Sequence, residues 1–122
     1  MKNKDTFALE TMSELKNYNN FVQTLMKKHI GVGPVLDFGC GYGEFARHLN
    51  DSGWECDGVE VDKAANLESQ KKGIKTFNSL SEVKKPYPII TSLNVLEHIE
   101  DDVKILTNLF DILENEGSLI LY

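Results

Sequence analysis

Cysteine is scarce in this chain of 122 residues: only Cys40 and Cys56 occur, in no CxxC or Cys/His ligand spacing. Neither a disulfide framework nor a structural zinc module is expected, and the default compartment is a reducing one, the cytoplasm. Basic residues are also few, 13 Lys and Arg against 19 Asp and Glu, for a net charge of -6. The pairs Lys27-Lys28, Lys71-Lys72 and Lys84-Lys85 are too small to grip a phosphate backbone, so no nucleic acid is expected and a small or glycan-like partner fits better. No run approaches the roughly 20 apolar residues of a membrane helix, and the start, Met1 to Asp5, is polar rather than signal-like. No membrane partner is expected. Repeats and low-complexity tracts are absent too. What is present is 41% hydrophobic residues, enough for one ordinary core. The expectation is a single domain over 1–122, with a leading helical segment at 1–30 and a βα core at 34–122.

From about Thr6 to His29, Leu15, Tyr18, Val22, Leu25 and Met26 recur at three- and four-residue spacing, the stripe of an amphipathic helix. Gly31, Gly33 and Pro34 stop it. Val35 to Phe38 is a short apolar run followed at once by Gly39, Gly41 and Gly43, then by a helical stretch from Phe45 to Asn50. Glu55 to Val61 reads as a second strand and Lys63 to Lys72 as a second helix of the core, ending at Gly73. Two βα units in tandem imply a parallel sheet. Ile74 to Phe77 is a third strand, and Ile89 to Leu93, after Pro86 and Pro88, a fourth. Asp101 and Asp102 open a helix carrying Val103, Leu106, Leu109, Phe110 and Leu113, their charge suiting the positive end of its dipole. Asn115 and Gly117 close that helix, and Ser118 to Tyr122 forms a fifth strand.

The chemistry is concentrated at Asp37-Phe38-Gly39-Cys40-Gly41-Tyr42-Gly43. Three alternating glycines at a strand exit let backbone approach a ligand with no Cβ in the way. A dinucleotide fingerprint needs GxGxxG, and Glu44 stands where its third glycine belongs. An acidic rim made by Asp37 and Glu44 suits a cation better than a pyrophosphate. Glu60 ends the second strand about twenty residues after the loop, where an acid reaches both ribose hydroxyls. The bland alternative is a glycine-rich turn with surface acids, but Glu60 lies within the run Val59-Glu60-Val61, where a charge needs a partner.

These residues resemble a known family. Val35-Leu36-Asp37-Phe38-Gly39-Cys40-Gly41-Tyr42-Gly43, then Gly58-Val59-Glu60-Val61-Asp62, then Ser92-Leu93-Asn94-Val95-Leu96-Glu97-His98-Ile99 are similar, in order and interval, to the motifs of class I S-adenosylmethionine-dependent methyltransferases of the type 11/12-like kind. The segment Ile112 to Leu119 is similar to the one entering the family's fifth strand, with Glu116 where a glycine is common. The resemblance implies an α/β Rossmann-like three-layer αβα sandwich, its mostly parallel sheet in the order 3-2-1-4-5, with S-adenosyl-L-methionine as cofactor. By position, Asp37, Gly39, Cys40, Gly41 and Gly43 would hold the methionine end and Glu60 the ribose. Val61 and Asp62 would border the adenine. Leu93 and Asn94 would face the methyl-transfer region, and Tyr18 would cover the cofactor. Asn78 and Ser79 occupy the place where many relatives carry an acid for the adenine amine. An amide or hydroxyl can also hydrogen-bond there.

His98 reads either as a general base or as a hydrogen-bonded residue at a helix start. The implied reaction is methyl transfer to a small-molecule or sugar-like acceptor. The alternatives are a cofactor-binding module or partner subunit without catalysis, and more distantly a nucleotide-dependent dehydrogenase. Members of the methyltransferase family that the motifs resemble continue past the fifth strand with a helix and an antiparallel hairpin, so the expectation for a chain ending at Tyr122 is an incomplete domain. It lacks that hairpin and has an open strand edge through which a homo-oligomer could form.

Overall fold

The computed structural model describes residues 19–93 and 100–121. The chain divides into two units, residues 1–32 and 33–122. In the first, helix α1 covers residues 19–29. Val22 and Met26 are its buried residues, whereas Phe21 and Leu25 are exposed, so Leu25 leaves the expected stripe. Leu15 and Tyr18 lie outside the described residues. The helix ends where the Ile30 and Gly31 N–H groups both donate to Met26 O and Gly31 takes a φ of 93°.

The second unit alternates strand and helix: β1 (Pro34–Phe38), α2 (Glu44–Asp51), β2 (Glu55–Val59), α3 (Lys63–Lys71), β3 (Thr76–Phe77), a single 3₁₀ turn (Leu80–Glu82), β4 (Tyr87–Ser92), α4 (Asp102–Ile112) and β5 (Leu113–Leu121). The strands form one sheet in the order β3-β2-β1-β4-β5, and every pairing is parallel. This is the expected Rossmann-like order. The order reverses between β1 and β4. Right-handed crossovers therefore put α2 and α3 on one face and α4 on the other.

Alternation in β1, which sends Leu36 and Phe38 to one side and Asp37 to the other, assigns the faces. Leu36, Phe38, Val59, Tyr87 and Ile90 gather with Leu109 of α4 into a buried cluster, flanked by Phe77, Leu80, Ile105, Ile112 and Leu119. Burying each large apolar side chain contributes about 2 kcal/mol, so this cluster is the main cohesive element of the α4 side. The opposite face carries Asp37, which pairs laterally with Gly58 on β2 and Thr91 on β4.

Helix starts follow their caps. Asp62 accepts from Ala65 N–H at 3.0 Å to open α3, and Asp101 accepts from Lys104 N–H at 3.1 Å to open α4. The C-terminal boundary departs from expectation: α4 ends at Ile112, and Leu113 already pairs with Tyr87. Ile89 then pairs with Ser118, so residues 114–117 bulge out of the ladder. Leu113 is extended and packs against the core cluster, which ends the helix before the expected Asn115. Glu116 turns the bulge with a φ of 62°. The third strand is shorter than expected, Thr76–Phe77 only.

Candidate functional site

The loop between β1 and α2 is assembled by its own amides and by two neighbouring elements. Gly39, Gly41 and Gly43 take φ values of 77°, 59° and 87°. The requirement is sharpest at Gly43, where a Cβ would stand 2.9 Å from Ser69 Oγ and 3.2 Å from Ser69 Cα. The Gly39 and Cys40 N–H groups both donate to Val59 O, at 2.8 and 3.0 Å, and Gly43 N–H donates to Cys40 O at 3.0 Å. Gly41 N–H donates to Glu60 Oε1 at 2.8 Å. The amides of these four loop residues are therefore all engaged within the chain. A phosphate-cradling loop needs such amides free to meet the anion.

Glu60 is the centre of the arrangement. It is half-buried at the end of β2, where its own N–H donates to Phe77 O at 3.0 Å. Its second carboxylate oxygen, Oε2, accepts from Asp62 N–H at 2.9 Å. Each oxygen thus receives one backbone donor and keeps acceptor capacity for another. This is the partner that the sequence pattern requires for a charge in an apolar run. Asp37 lies fully inside, 4% exposed, with Thr91 Oγ1 donating to its Oδ1 at 2.7 Å. Burial, reinforced by the negative charge of Glu60 and opposed by the Thr91 hydrogen bond, pushes its carboxyl up to about 7.

Cys40 covers Gly58, where a Cβ would meet Cys40 Sγ at 2.5 Å. Burial foremost, with Asp37 and Glu60 adding their negative charge, pushes the Cys40 thiol up to about 12, so this cysteine is a packing group rather than a nucleophile. Glu44 departs from the reading of an acidic rim. Its Oε1 lies 2.9 Å from Lys72 Nζ, so its charge is partnered and the acids left for a ligand are Asp37 and Glu60.

The expected residues sort into four groups. Asp37, Gly39, Cys40, Gly41, Gly43, Glu60, Val61 and Asp62 come together at the C-terminal ends of β1 and β2, with Val61 and Tyr42 exposed there. Asn78 and Ser79 follow β3 at the same end of the sheet; Glu82 holds Asn78 by its N–H at 2.8 Å, and Ser79 Oγ lies 2.7 Å from Ser81 Oγ. Leu93 follows β4 and is half-buried. Tyr18, Asn94, Glu97 and His98 lie outside the described residues. The sequence reading missed Thr91, Asn66, Ser69 and Lys72. Thr91, a polar residue inside the run Ile89 to Leu93, was the only one with a signal.

Residues 10–122 match the family model described as a methyltransferase domain. The chain belongs to that family. Solved structures with the same fold include magnesium protoporphyrin IX methyltransferase from Synechocystis PCC 6803 with bound S-adenosylmethionine, at a TM-score of 0.74 and 21% identity over 90% of this chain and 58% of that one. The glycopeptide N-methyltransferase MtfA, complexed with S-adenosylmethionine, has a TM-score of 0.70 and 18% identity over 84% of this chain and 53% of its own. The plantazolicin methyltransferase BpumL, in complex with a triazolic desmethylPZN analog and S-adenosylhomocysteine, has a TM-score of 0.70 and 17% identity over 98% of this chain and 53% of its own. This methyltransferase domain thus spans little more than half the length of these structures. No curated protein matches it significantly by sequence.

Proposed function

We propose that the domain binds S-adenosylmethionine at the C-terminal ends of β1 and β2 and serves transfer of its methyl group to a small-molecule or sugar-like acceptor. The observation that carries this reading is the Glu60 carboxylate, held by the Gly41 and Asp62 amides with acceptor capacity left on both oxygens. A vicinal diol is the complementary donor pair. The donor set fits the cofactor: two carboxylates, Asp37 and Glu60, at a loop whose Gly39, Cys40, Gly41 and Gly43 amides are already engaged, suit a cationic ligand without phosphate. The same features disfavour a dinucleotide.

Asp37 and the glycine loop would hold the methionine end, Glu60 the ribose, Val61 and Asp62 the rim of the adenine, and Asn78 and Ser79 its polar edge. Leu93 would border the reacting methyl. When bound, S-adenosylmethionine supplies an electrophilic methyl that passes to an acceptor lone pair while the sulfonium becomes a thioether. The domain's own contribution is alignment, which in well-oriented systems reaches roughly 7 to 11 kcal/mol, so a nucleophilic acceptor needs no strong base.

Magnesium protoporphyrin IX, glycopeptide and plantazolicin methyltransferases share this fold, and the scarcity of basic residues favours a small-molecule or sugar-like acceptor over a nucleic acid. Two free cysteines, Cys40 and Cys56, are what a reducing, cytoplasmic compartment would leave. Among the described residues no helix is long and apolar enough to cross a membrane. The test is calorimetric titration with S-adenosylmethionine and S-adenosylhomocysteine beside a Glu60→Ala variant. Saturable binding, weakened at least tenfold by the substitution, is expected; a folded chain that binds neither ligand refutes the reading. Tight binding with no transfer to any acceptor by the full-length protein would instead identify a sensor or partner subunit.

A further inference from the structure

We propose that Ser69 and Lys72 of the α3 segment are positioning residues that hold the glycine loop alongside Glu60 and thereby set its affinity for the cofactor. This rests on the cofactor reading given above. Three successive peptide groups of the loop are each anchored to a side chain. The Cys40–Gly41 peptide donates its N–H to Glu60 Oε1 at 2.8 Å. The Gly41–Tyr42 peptide accepts at Gly41 O from Ser69 Oγ at 2.7 Å. The Tyr42–Gly43 peptide accepts at Tyr42 O from Lys72 Nζ at 2.6 Å.

Ser69 and Lys72 are three residues apart, so they project from one face of the helix toward the same stretch of loop. Ser69 is fully buried, and its Cα stands where any Cβ on Gly43 would press, so the loop rests directly on α3. Lys72 also bridges to Glu44 Oε1 at 2.9 Å, which ties the first residue of α2 to the same support. Both residues spend their polar groups on the loop and on Glu44. Their action is to fix the loop before a ligand arrives, so that binding does not have to order it. Glu60 alone could not do this, because it holds a single loop peptide and is itself the predicted ligand contact.

The test uses the whole chain and two readouts. Amide hydrogen exchange of the ligand-free protein is compared for wild type, Ser69→Ala, Lys72→Met and Lys72→Arg, and each is titrated with S-adenosylmethionine. Loss of one anchoring hydrogen bond should speed exchange at Gly41 and Gly43 about tenfold and weaken binding about tenfold. Exchange at Leu36 and Phe38 of β1, and the thermal midpoint of Lys72→Met, should stay near wild type. Lys72→Arg, which keeps a cationic donor, should restore both readouts. Loop amides that exchange at the wild-type rate in both Ser69→Ala and Lys72→Met overturn the proposal, as does acceleration spread evenly over β1. Loosened loop amides together with a wild type that does not bind S-adenosylmethionine would refute the cofactor reading while supporting the loop support itself.

Discussion

Thr91 Oγ1 donates a 2.7 Å hydrogen bond to Asp37 Oδ1, and both side chains are buried. The bond favours the ionised carboxylate, yet burial outweighs it and Asp37 is raised to about 7. For a carboxyl raised in the folded state, the native protein holds a proton that the unfolded chain releases between about pH 4 and pH 7. Stability therefore falls as pH rises through that window and is flat above it. The shift corresponds to roughly 4 kcal/mol at pH 8. Urea unfolding at pH 5 and pH 8 should show Asp37→Asn losing this dependence and gaining stability relative to wild type at the higher pH. Thr91→Val should extend the falling window upward, because the bond that lowers the carboxyl is gone. Equal pH slopes in wild type and Asp37→Asn would contradict the assignment.

A cationic ligand beside a carboxyl poised near neutrality favours its ionised form. Binding of S-adenosylmethionine at pH 6.5 should accordingly release a fraction of a proton, seen as a binding enthalpy that varies with the ionisation enthalpy of the buffer. Asp37→Asn should bind with an enthalpy less dependent on buffer. A buffer-independent enthalpy in the wild type would place the ligand's charge away from Asp37.

Much of the fold was legible because its signals are local. Three glycines after an apolar run, and the second run ending in Glu60, gave β1, the loop and β2 their places. The interval between them gave the parallel crossover. The supports of the loop were not legible: Ser69 and Lys72 lie on an ordinary polar helix, and only the packing of α3 brings them to Gly41 and Tyr42 across 28 and 30 residues of sequence. The end of α4 was misplaced for a related reason. Leu113 fits the helical spacing equally well, and its extended conformation is decided by pairing with Tyr87 in the sheet. Glu44 read as part of an acidic rim because its partner, Lys72, is equally remote in sequence.

Glu116 turns the bulge at the start of β5 with a φ of 62°, a conformation that costs an ordinary L residue about 1 kcal/mol. Glu116→Gly should stabilise the domain by roughly 0.5 to 1 kcal/mol in denaturant unfolding, while Glu116→Val should destabilise it. A glycine variant less stable than wild type would show that the Glu116 side chain makes a compensating contact.

Gly58 is required by proximity rather than by backbone angle. A Cβ there would lie 2.5 Å from Cys40 Sγ and 2.9 Å from Cys40 Cβ, so Gly58→Ala must push the loop off β2. The expected cost is about 1 to 3 kcal/mol. Because the clash involves one neighbour, adding Cys40→Gly should recover part of it, giving a non-additive double-mutant cycle. Strict additivity of the two substitutions would mean that the loop relaxes elsewhere.

Asn66 joins the ends of β2 and β3 to α3 with every polar atom of its amide in use. Its Nδ2 donates to Glu60 O at 2.9 Å and Phe77 O at 3.1 Å, and its Oδ1 accepts from Gln70 Nε2 at 2.7 Å and Thr76 Oγ1 at 2.6 Å. Phe77 O keeps the Glu60 N–H if Asn66 is truncated, but Glu60 O loses its side-chain donor, and the Asn66 side chain it would need back is itself only 2% exposed. Asn66→Ala should therefore cost about 2 to 3 kcal/mol. Asn66→Asp should cost more at pH 7, since a carboxylate would face two carbonyl oxygens, and it should recover on acidification as protonation restores one donor. Both variants remove the side-chain donor of Glu60 O, so both should weaken S-adenosylmethionine binding beyond the effect of lost stability. An Asn66→Asp protein as stable as wild type at pH 7 would show that the amide does not donate to these carbonyls.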